Sequence, residues 1–530
     1  MKILLIDPSG YLHNFGMRMI AAQVTAAGHQ VEMVFALGAF PQQYSSVDPF
    51  LNDLRAHVRS ADLVGISVYT NYLLEAIAVT RLVREVGDSP VVWGGVHPTV
   101  MPKESLEQAD YVVIGEGEDA FPALIEYLEG KKGADLVPNL CHRSGTGEVV
   151  ENIIQPLAGD LDDYGFPIFT DLDGTYIADA ESQNLQVLTD ERLKGLTRYN
   201  GRYYGLPEDR PYFGFLTMTS RGCPYRCAYC INNAMNRIFD RKSKVFRFRS
   251  IEHVIREIEA VRERFPFINL IHFFDDNLCA RPLKDLEEFN RLYKARIGFP
   301  FKCNFHPNNV SEEKIDLLID AGLVSVEMGI ESGSQKTNRD LYRRPHSNDH
   351  ILGVARLLAD KHPGKVVSYY DVIMDNPWES TEDVSQTIQL IQEIPRPFKI
   401  SYFSLTFFPG TALYEKAVEE GVIRDLVQDV VKKKNNRLYA DRDPYSKLLL
   451  SVSPFVSHSL PRRLLRLMAH PWLLRFLNGR YPSILIRRLV KVLIGLRASY
   501  NARKARKNTA ESQLDSSSQR SDFHEGIQAN

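Results

Sequence analysis

Twice along this chain, short unbroken apolar runs alternate with stretches of helical spacing, and that rhythm restricts the fold more than any other feature. Runs at 2–7, 30–35, 62–68, 90–93 and 111–114 read as strands, with helical periodicity at 11–27, 74–86, 104–109 and 120–128 between them. Strands that are apolar throughout and separated by helices belong in a parallel sheet covered on both faces. From residue 213 the alternation resumes, with strands at 215–220, 270–274, 302–305, 324–328, 366–374 and 400–407. About six strand–helix repeats predict a partial or complete parallel barrel, with function at the carboxyl ends of its strands.

The fold class expected is therefore α/β. A Rossmann-like unit spans 1–130, a connecting segment 131–212, and a partial (β/α) barrel of the TIM type 213–425. A helical basic region follows over 426–507, and a Ser-, Gln- and Asn-rich tail over 508–530 is expected to be disordered. No charge-free apolar stretch of about 18 residues occurs, so no spanning helix is expected. The opening MKILLIDPSG is a strand broken by a turn, too short for a signal peptide, which predicts a cytoplasmic protein. Six cysteines in 530 residues, three of them within eight positions, do not form a disulfide framework. They point to a metal or redox site in a reducing compartment.

Those three lie in Arg221-Gly222-Cys223-Pro224-Tyr225-Arg226-Cys227-Ala228-Tyr229-Cys230, directly after a strand. Thiolates at i, i+4 and i+7 on one loop suit three irons of a 4Fe–4S cubane, leaving the fourth iron open to a chelating ligand. A structural zinc site wants four ligands, and no further Cys or His pair follows at suitable spacing. A thiol-redox pair Cys227–Cys230 would leave Cys223 surplus. Cys279 and Cys303 read as packing thiols.

The spacing, with an aromatic residue just before the third cysteine, resembles the radical S-adenosylmethionine (SAM) superfamily. The resemblance implies a cluster on Cys223, Cys227 and Cys230, reductive cleavage of SAM to a 5′-deoxyadenosyl radical, and Tyr229 against the adenine. Phe273-Phe274-Asp275-Asp276-Asn277 is similar to the segment that ends the second barrel strand in that family, which would put Asp276 near the methionine amine. Asp275 is open to a second reading as a helix cap. Glu327-Met328-Gly329-Ile330-Glu331-Ser332-Gly333 matches the end of the fourth strand, implying that Glu331 and Ser332 approach SAM; Glu331 also reads as a buried ion-pair partner. At the fifth strand the chain departs from the family's Gly-x-Pro-Gly-Glu-Thr, reading Asp375-Asn376-Pro377-Trp378-Glu379-Ser380. Loss of both glycines predicts a different approach of main chain to the adenine.

The first unit resembles the cobalamin-binding domain that precedes many radical SAM barrels. The likeness rests on Gly94-Gly95-Val96-His97-Pro98-Thr99 and Gly115-Glu116-Gly117-Glu118, with Ser67-Val68-Tyr69 at the adjacent strand end. Cobalamin contacts are accordingly expected from Ser67, Tyr69, Gly94, Gly95, His97, Gly115, Glu116 and Gly117. The Asp-x-His-x-x-Gly element of histidine-ligating cobalamin proteins is absent, so His97 is expected to shape its loop.

From Pro444 to Ala510 there is no Asp or Glu, and 461–467 and 484–493 interleave Arg and Lys with large apolar residues. Such helices suit a membrane interface or a cap with a solvated basic face. Nucleic acid is not expected, because aromatic side chains are not spread along the basic face. The function these features imply is a cobalamin-dependent radical SAM C-methyltransferase acting on an unactivated carbon of a small, lipid-like substrate, with flavodoxin or ferredoxin as electron donor. An oxidative cyclase of the anaerobic magnesium-protoporphyrin ester type shares the domain order. A non-catalytic cobalamin-responsive regulator is the reading from another class. A methylthiotransferase needs three further cysteines, and the amino-terminal half offers only Cys141.

Overall fold

The apolar runs do pair in parallel. Lys2–Asp7 (β1) is buried over almost its whole length and lies between Gln30–Phe35 (β2) and Leu63–Ser67 (β3), parallel to both. Val91–Gly94 (β4) and Tyr111–Val113 (β5) extend the sheet beyond β3. The core order β5-β4-β3-β1-β2 is the doubly wound arrangement that reverses between β1 and β3, where such sheets bind ligands beyond their carboxyl ends. Helix Phe15–Ala26 starts where Asn14 caps Met17 N at 3.1 Å. Helices Pro49–Ser60 and Leu73–Val86 supply Phe50, Leu54, Val58, Ala76, Val79 and Val83 to one core with Leu4, Ile6, Val64, Ile66 and Trp93. The Trp93 indole, itself fully buried, donates to Thr80 Oγ1 at 2.9 Å.

This computed structural model describes residues 1–36, 49–178, 184–207, 210–239, 244–361, 364, 366–433, 443, 445–450 and 462–479. The basic run at 484–493 and the tail at 508–530 lie outside the described residues. The chain divides into two compact units, residues 1–377 with 394–436 and residues 378–393 with 437–530; both sheets belong to the first.

The stretch 131–212, expected as a connection, instead contributes to both sheets. Leu140–Arg143 (β6) and Val149–Glu151 (β7) add antiparallel strands beyond β5. Thr175–Ala178 (β8) pairs in parallel with β2, and Leu185–Val187 (β9) closes that edge. Arg198–Tyr199 (β10) pairs antiparallel with the first barrel strand, Tyr212–Thr217 (β11). These are short peripheral strands without a continuous apolar run, so sequence periodicity carried no signal for them.

Two short strands, Ser220–Arg221 (β12) and Arg247–Phe248 (β13), form a separate ribbon beside the cysteine loop. The remaining barrel strands are Leu270–Phe273 (β14), Phe301–Phe305 (β15), Leu323–Glu331 (β16), Val367–Met374 (β17) and Phe398–Ser404 (β18). With β11 they form six consecutive parallel strands, an open barrel wall as expected. In β14–β16 one face carries Ile271, Phe273, Phe301, Cys303, Val326 and Met328, all buried. The other face carries His272, Lys302, Asn304 and Glu327, which share neighbouring register positions.

In the second unit, helices Thr381–Glu393, Arg462–Met468 and Pro471–Leu477 are described. Leu464, Leu467, Trp472 and Phe476 are exposed there, with Trp472 and Phe476 stacked at 5.8 Å. Among the described residues no helix is long and apolar enough to cross a membrane.

Candidate active site

The cysteine loop leaves the carboxyl end of β11 and is fastened from the end of β14. Asp275, fully buried, accepts from Thr219 N at 3.0 Å, from Thr219 Oγ1 at 2.8 Å and from Ser220 Oγ. Arg281 donates to Thr219 Oγ1 at 2.9 Å from the same side. Asp275 is thus no helix cap; its carboxylate fixes the place where the loop begins. Gly222 then turns at φ +80°, and a Cβ there would lie 2.7 Å from Val245 O. Only glycine meets both conditions without strain. The loop closes into helix Ile231–Phe239, and Ala228 N is held by Tyr342 O at 2.9 Å.

The three thiols stand near one another, close enough that each of Cys223 and Cys230 feels Cys227 electrostatically. Burial pushes all three thiols up, Cys223 to about 12. Such thiols stay protonated until a bound cation holds them as thiolates. Among the described residues no three His, Cys, Asp or Glu side chains close on one point as a single metal ion requires. Three thiols on one short loop, each able to take a different iron, are the donor set that a 4Fe–4S cluster with one open iron requires. Cys141, Cys279 and Cys303 are fully buried in the packing.

Around the loop stand the predicted polar residues. Asp276 has solvent-exposed surface yet is walled by protein; burial, with the like charge of Asp275, pushes its carboxyl up to about 6 against a bond from Asn232. It lies within electrostatic reach of Cys223 and Cys230. Glu331 takes φ +57° at a bulge in β16, a conformation uncommon outside glycine. Its Oε1 accepts from the Tyr229 hydroxyl at 2.8 Å and faces Arg344 Nη1 at 3.3 Å. Glu331 is therefore ion-paired, and the partner, Arg344, is a residue that sequence reasoning did not single out. Ser332 is buried, its hydroxyl accepting from Ser334 N at 3.1 Å. At the fifth strand end Asp375 keeps φ +59°, the conformation a glycine would favour, and accepts from Ser404 Oγ at 2.7 Å. Aspartate is among the few side chains that tolerate this region.

At the crevice of the first sheet, Asp7 is fully buried and Asn14 Nδ2 bridges it to Ser67 Oγ, 2.9 Å to each. Burial raises the Asp7 carboxyl. Tyr69 follows β3 and burial raises its phenol. Gly94 has open space where a Cβ would stand, and Gly95 takes φ +100° with the Val68 main chain 3.2 Å from that point. His97 is buried, Nδ1 3.1 Å from Thr70 Oγ1, and burial lowers it to about 4. Thr99 Oγ1 donates to Gly95 O at 2.7 Å and accepts from Gly115 N at 2.8 Å, tying the two glycine loops together. Bare main chain at this switch point fits a large ligand with a polar tail.

The second glycine loop faces the cysteine loop. A Cβ on Gly115 would meet Phe239 at 2.4 Å, and one on Gly117 would meet Ile20 at 2.8 Å. Glu116 pairs with Arg247 and, at 3.3 Å, with Arg221; Glu118, buried, pairs with Arg221 at 2.6 Å. Arg221 is two residues before Cys223, so this clamp fastens the first sheet's loop to the base of the cluster loop. Its signal was present in the sequence, as opposite charges in the two most unusual loops.

Residues 1–125 match the family described as B12 binding domain, and residues 217–391 the radical SAM superfamily. Over 452 residues the chain is 24% identical to an uncharacterized methyltransferase of Pyrococcus horikoshii, covering 83% of this chain and 85% of that one. It is 24% identical to the cytidylyl-2-hydroxyethylphosphonate methyltransferase of Streptomyces wedmorensis, with 80% and 82% covered. The radical SAM methyltransferase TsrM of Kitasatospora setae, solved with tryptophan substrate and a SAM analogue, superposes with a TM-score of 0.58 at 19% identity. That superposition covers 79% of this chain and 76% of TsrM and bears on the fold. The two family matches, the second of which contains the cysteine loop, make this chain a radical SAM enzyme with an amino-terminal B12-binding domain, whose cofactors are a 4Fe–4S cluster, SAM and cobalamin.

Proposed function

We propose that the chain is a C-methyltransferase acting on an unactivated carbon. The observation that carries this is the clamp Arg221–Glu118, which fastens the B12-binding domain to the root of the cysteine loop. Such a fastening suits two cofactors that must work on one substrate; the methyltransferase relatives point the same way. When bound, the cluster and SAM supply a radical that removes hydrogen and cobalamin supplies the methyl group.

The chain's own residues would divide the work. Cys223, Cys227 and Cys230 hold the cluster. Asp276 receives the methionine amine of SAM, Glu331 and Ser332 its methionine and ribose side, and Tyr229 its adenine. Ser67, Tyr69, Gly94, Gly95, His97, Gly115, Glu116 and Gly117 shape the cobalamin site, the last four by holding the loops rather than by reaching the ligand. Residues 1–130 and 213–425 would be the two functional domains. The charged barrel face, with Lys302 bonded to Glu327 at 2.5 Å and Lys399 to the Tyr369 hydroxyl at 2.8 Å, supports a substrate with a polar group. A lipid-like remainder, and contact with a membrane face, draw support from exposed Leu467, Trp472 and Phe476 beside Arg466 and Arg475. The electron donor would be a small protein of the flavodoxin or ferredoxin kind.

The test is anaerobic reconstitution with hydroxocobalamin, quantification of iron, sulfide and cobalamin, and turnover with methyl-labelled SAM. About four irons and about one cobalamin per chain, with label in a carbon of the product, are expected. A product that is oxidised or cyclised without label would replace methyl transfer by the cyclase reading.

A further inference from the structure

Arg344 is held against the cluster loop more completely than a structural arginine needs to be. Its side chain is 7% exposed. Nη2 donates to Gly329 O at 2.8 Å, and its own main-chain N donates to Asn338 O at 2.7 Å. Nη1 is then left among three partners: Cys227 Sγ at 3.7 Å, the Tyr229 hydroxyl at 3.0 Å and Glu331 Oε1 at 3.3 Å. The segment that delivers it is unusual, a π-helical turn over Thr337–Leu341 followed by Arg343 at φ +55°. Gly329 leaves the space this packing fills, since a Cβ there would lie 3.3 Å from Arg344 Nη2. Two carboxylates also reach the thiols electrostatically, Asp276 toward Cys223 and Cys230 and Glu331 toward Cys227.

We propose that Arg344 is a positioning residue for the cluster, which donates to the Cys227 sulfur and raises the potential at which the cluster accepts its electron. The physical ground is short. A one-electron reduction, with the electron coming from a low-potential donor, makes a thiolate-bound cluster more negative. A fixed guanidinium beside a ligating sulfur favours the more negative state, and hydrogen bonds to sulfur and local charge are the levers that set such potentials. Glu331, 3.3 Å from the same guanidinium nitrogen, carries the opposite charge and works against it. Arg344 thereby links the sulfur of one ligand to Tyr229 and Glu331, the groups assigned to SAM.

The inference rests on the cluster and not on methyl transfer, so its test needs neither substrate nor turnover. The full chain is reconstituted anaerobically, its iron counted, and the cluster titrated potentiometrically with EPR detection, for wild type and for Arg344→Gln, Arg344→Lys and Glu331→Gln. Arg344→Gln with full iron should need a more reducing solution, its reduced-to-oxidised ratio falling about tenfold at fixed potential, which is about 59 mV for one electron. Arg344→Lys should fall between the two, because it keeps charge and loses the fork. Glu331→Gln should move the midpoint in the opposite direction. A fully loaded Arg344→Gln protein with the wild-type midpoint overturns the proposal. Should Arg344→Gln fail to load, Glu331→Gln decides: a midpoint raised supports the proposal, and one unmoved overturns it.

Discussion

The two parallel sheets present different things at their carboxyl ends. Beyond the first sheet the side chains are already engaged: Asp7 with Asn14, His97 with Thr70, Glu116 and Glu118 with arginines. Main chain at Gly94 is open to a ligand, beside the strand end that carries Ser67 and Tyr69. Beyond the barrel strands the side chains themselves face the site: three thiols, Asp276, and the Glu331–Tyr229 pair. A cofactor as large as cobalamin is held by shape over a wide area. A cluster and a chelating ligand need particular atoms at particular places. Substitutions should therefore act through conformation in the first region and through lost chemistry in the second.

The largest effect belongs to the cysteines. Alanine at Cys223, Cys227 or Cys230 should abolish cluster loading and reductive SAM cleavage while leaving cobalamin retention near wild type. Iron analysis and bound cobalamin, measured on the same sample, check both halves. Loss of cobalamin together with iron would mean that the two ends form one site and break the contrast.

The clamp joining the regions comes next. Arg221→Met leaves Glu118, 4% exposed, without its cation. Stranding a buried carboxylate costs about 3 kcal/mol or more, reduced here because Arg221 itself keeps 23% of its surface. Urea unfolding of the loaded protein should show that loss, and Glu118→Gln made in the same chain should recover part of it. An unchanged midpoint of unfolding would show that the pair is screened and fastens nothing.

Legibility divides along the same line. The parallel strands were readable because an unbroken apolar run has one meaning when helices flank it. The cysteine loop was readable because three thiols in eight residues have few other uses. The short peripheral strands β6–β10 were not, since two to four residues carry no period and their pairing depends on distant neighbours. Arg344 was hidden for a related reason: one arginine among many, distinguished only by the folded distance to Cys227. The departure at Asp375 was visible, yet its consequence was not. A left-handed aspartate with its own acceptor role replaces the glycine that the pattern lacks.

Gly95 tests the first region directly. At φ +100° and ψ −166° Gly95 occupies a region essentially reserved for glycine, so an alanine costs about 1–3 kcal/mol, and its Cβ would press on the Val68 main chain at 3.2 Å. Gly95→Ala should weaken cobalamin retention with iron content unchanged, as equilibrium dialysis against hydroxocobalamin would show. Equal retention would move the ligand away from this loop.

His97 gives the smallest effect and the sharpest check on its role. Burial lowers its imidazole to about 4 from an ordinary 6.5. Below pH 6.5 the unfolded chain binds a proton that the folded chain refuses until pH nears 4. Unfolding then takes up a proton in this window, so the stability contributed by neutral His97 is complete above about pH 6.5 and is lost as pH falls through it. The expected loss between about pH 6.5 and about pH 5.5 is about 1 kcal/mol for this one residue. His97→Gln should lower stability at neutral pH, by losing the Thr70 contact, yet flatten the acid slope by that amount. Urea unfolding at the two pH values measures both. If the slope is unchanged while cobalamin retention falls, His97 faces the ligand rather than the protein interior, and the first region too would depend on a particular side chain.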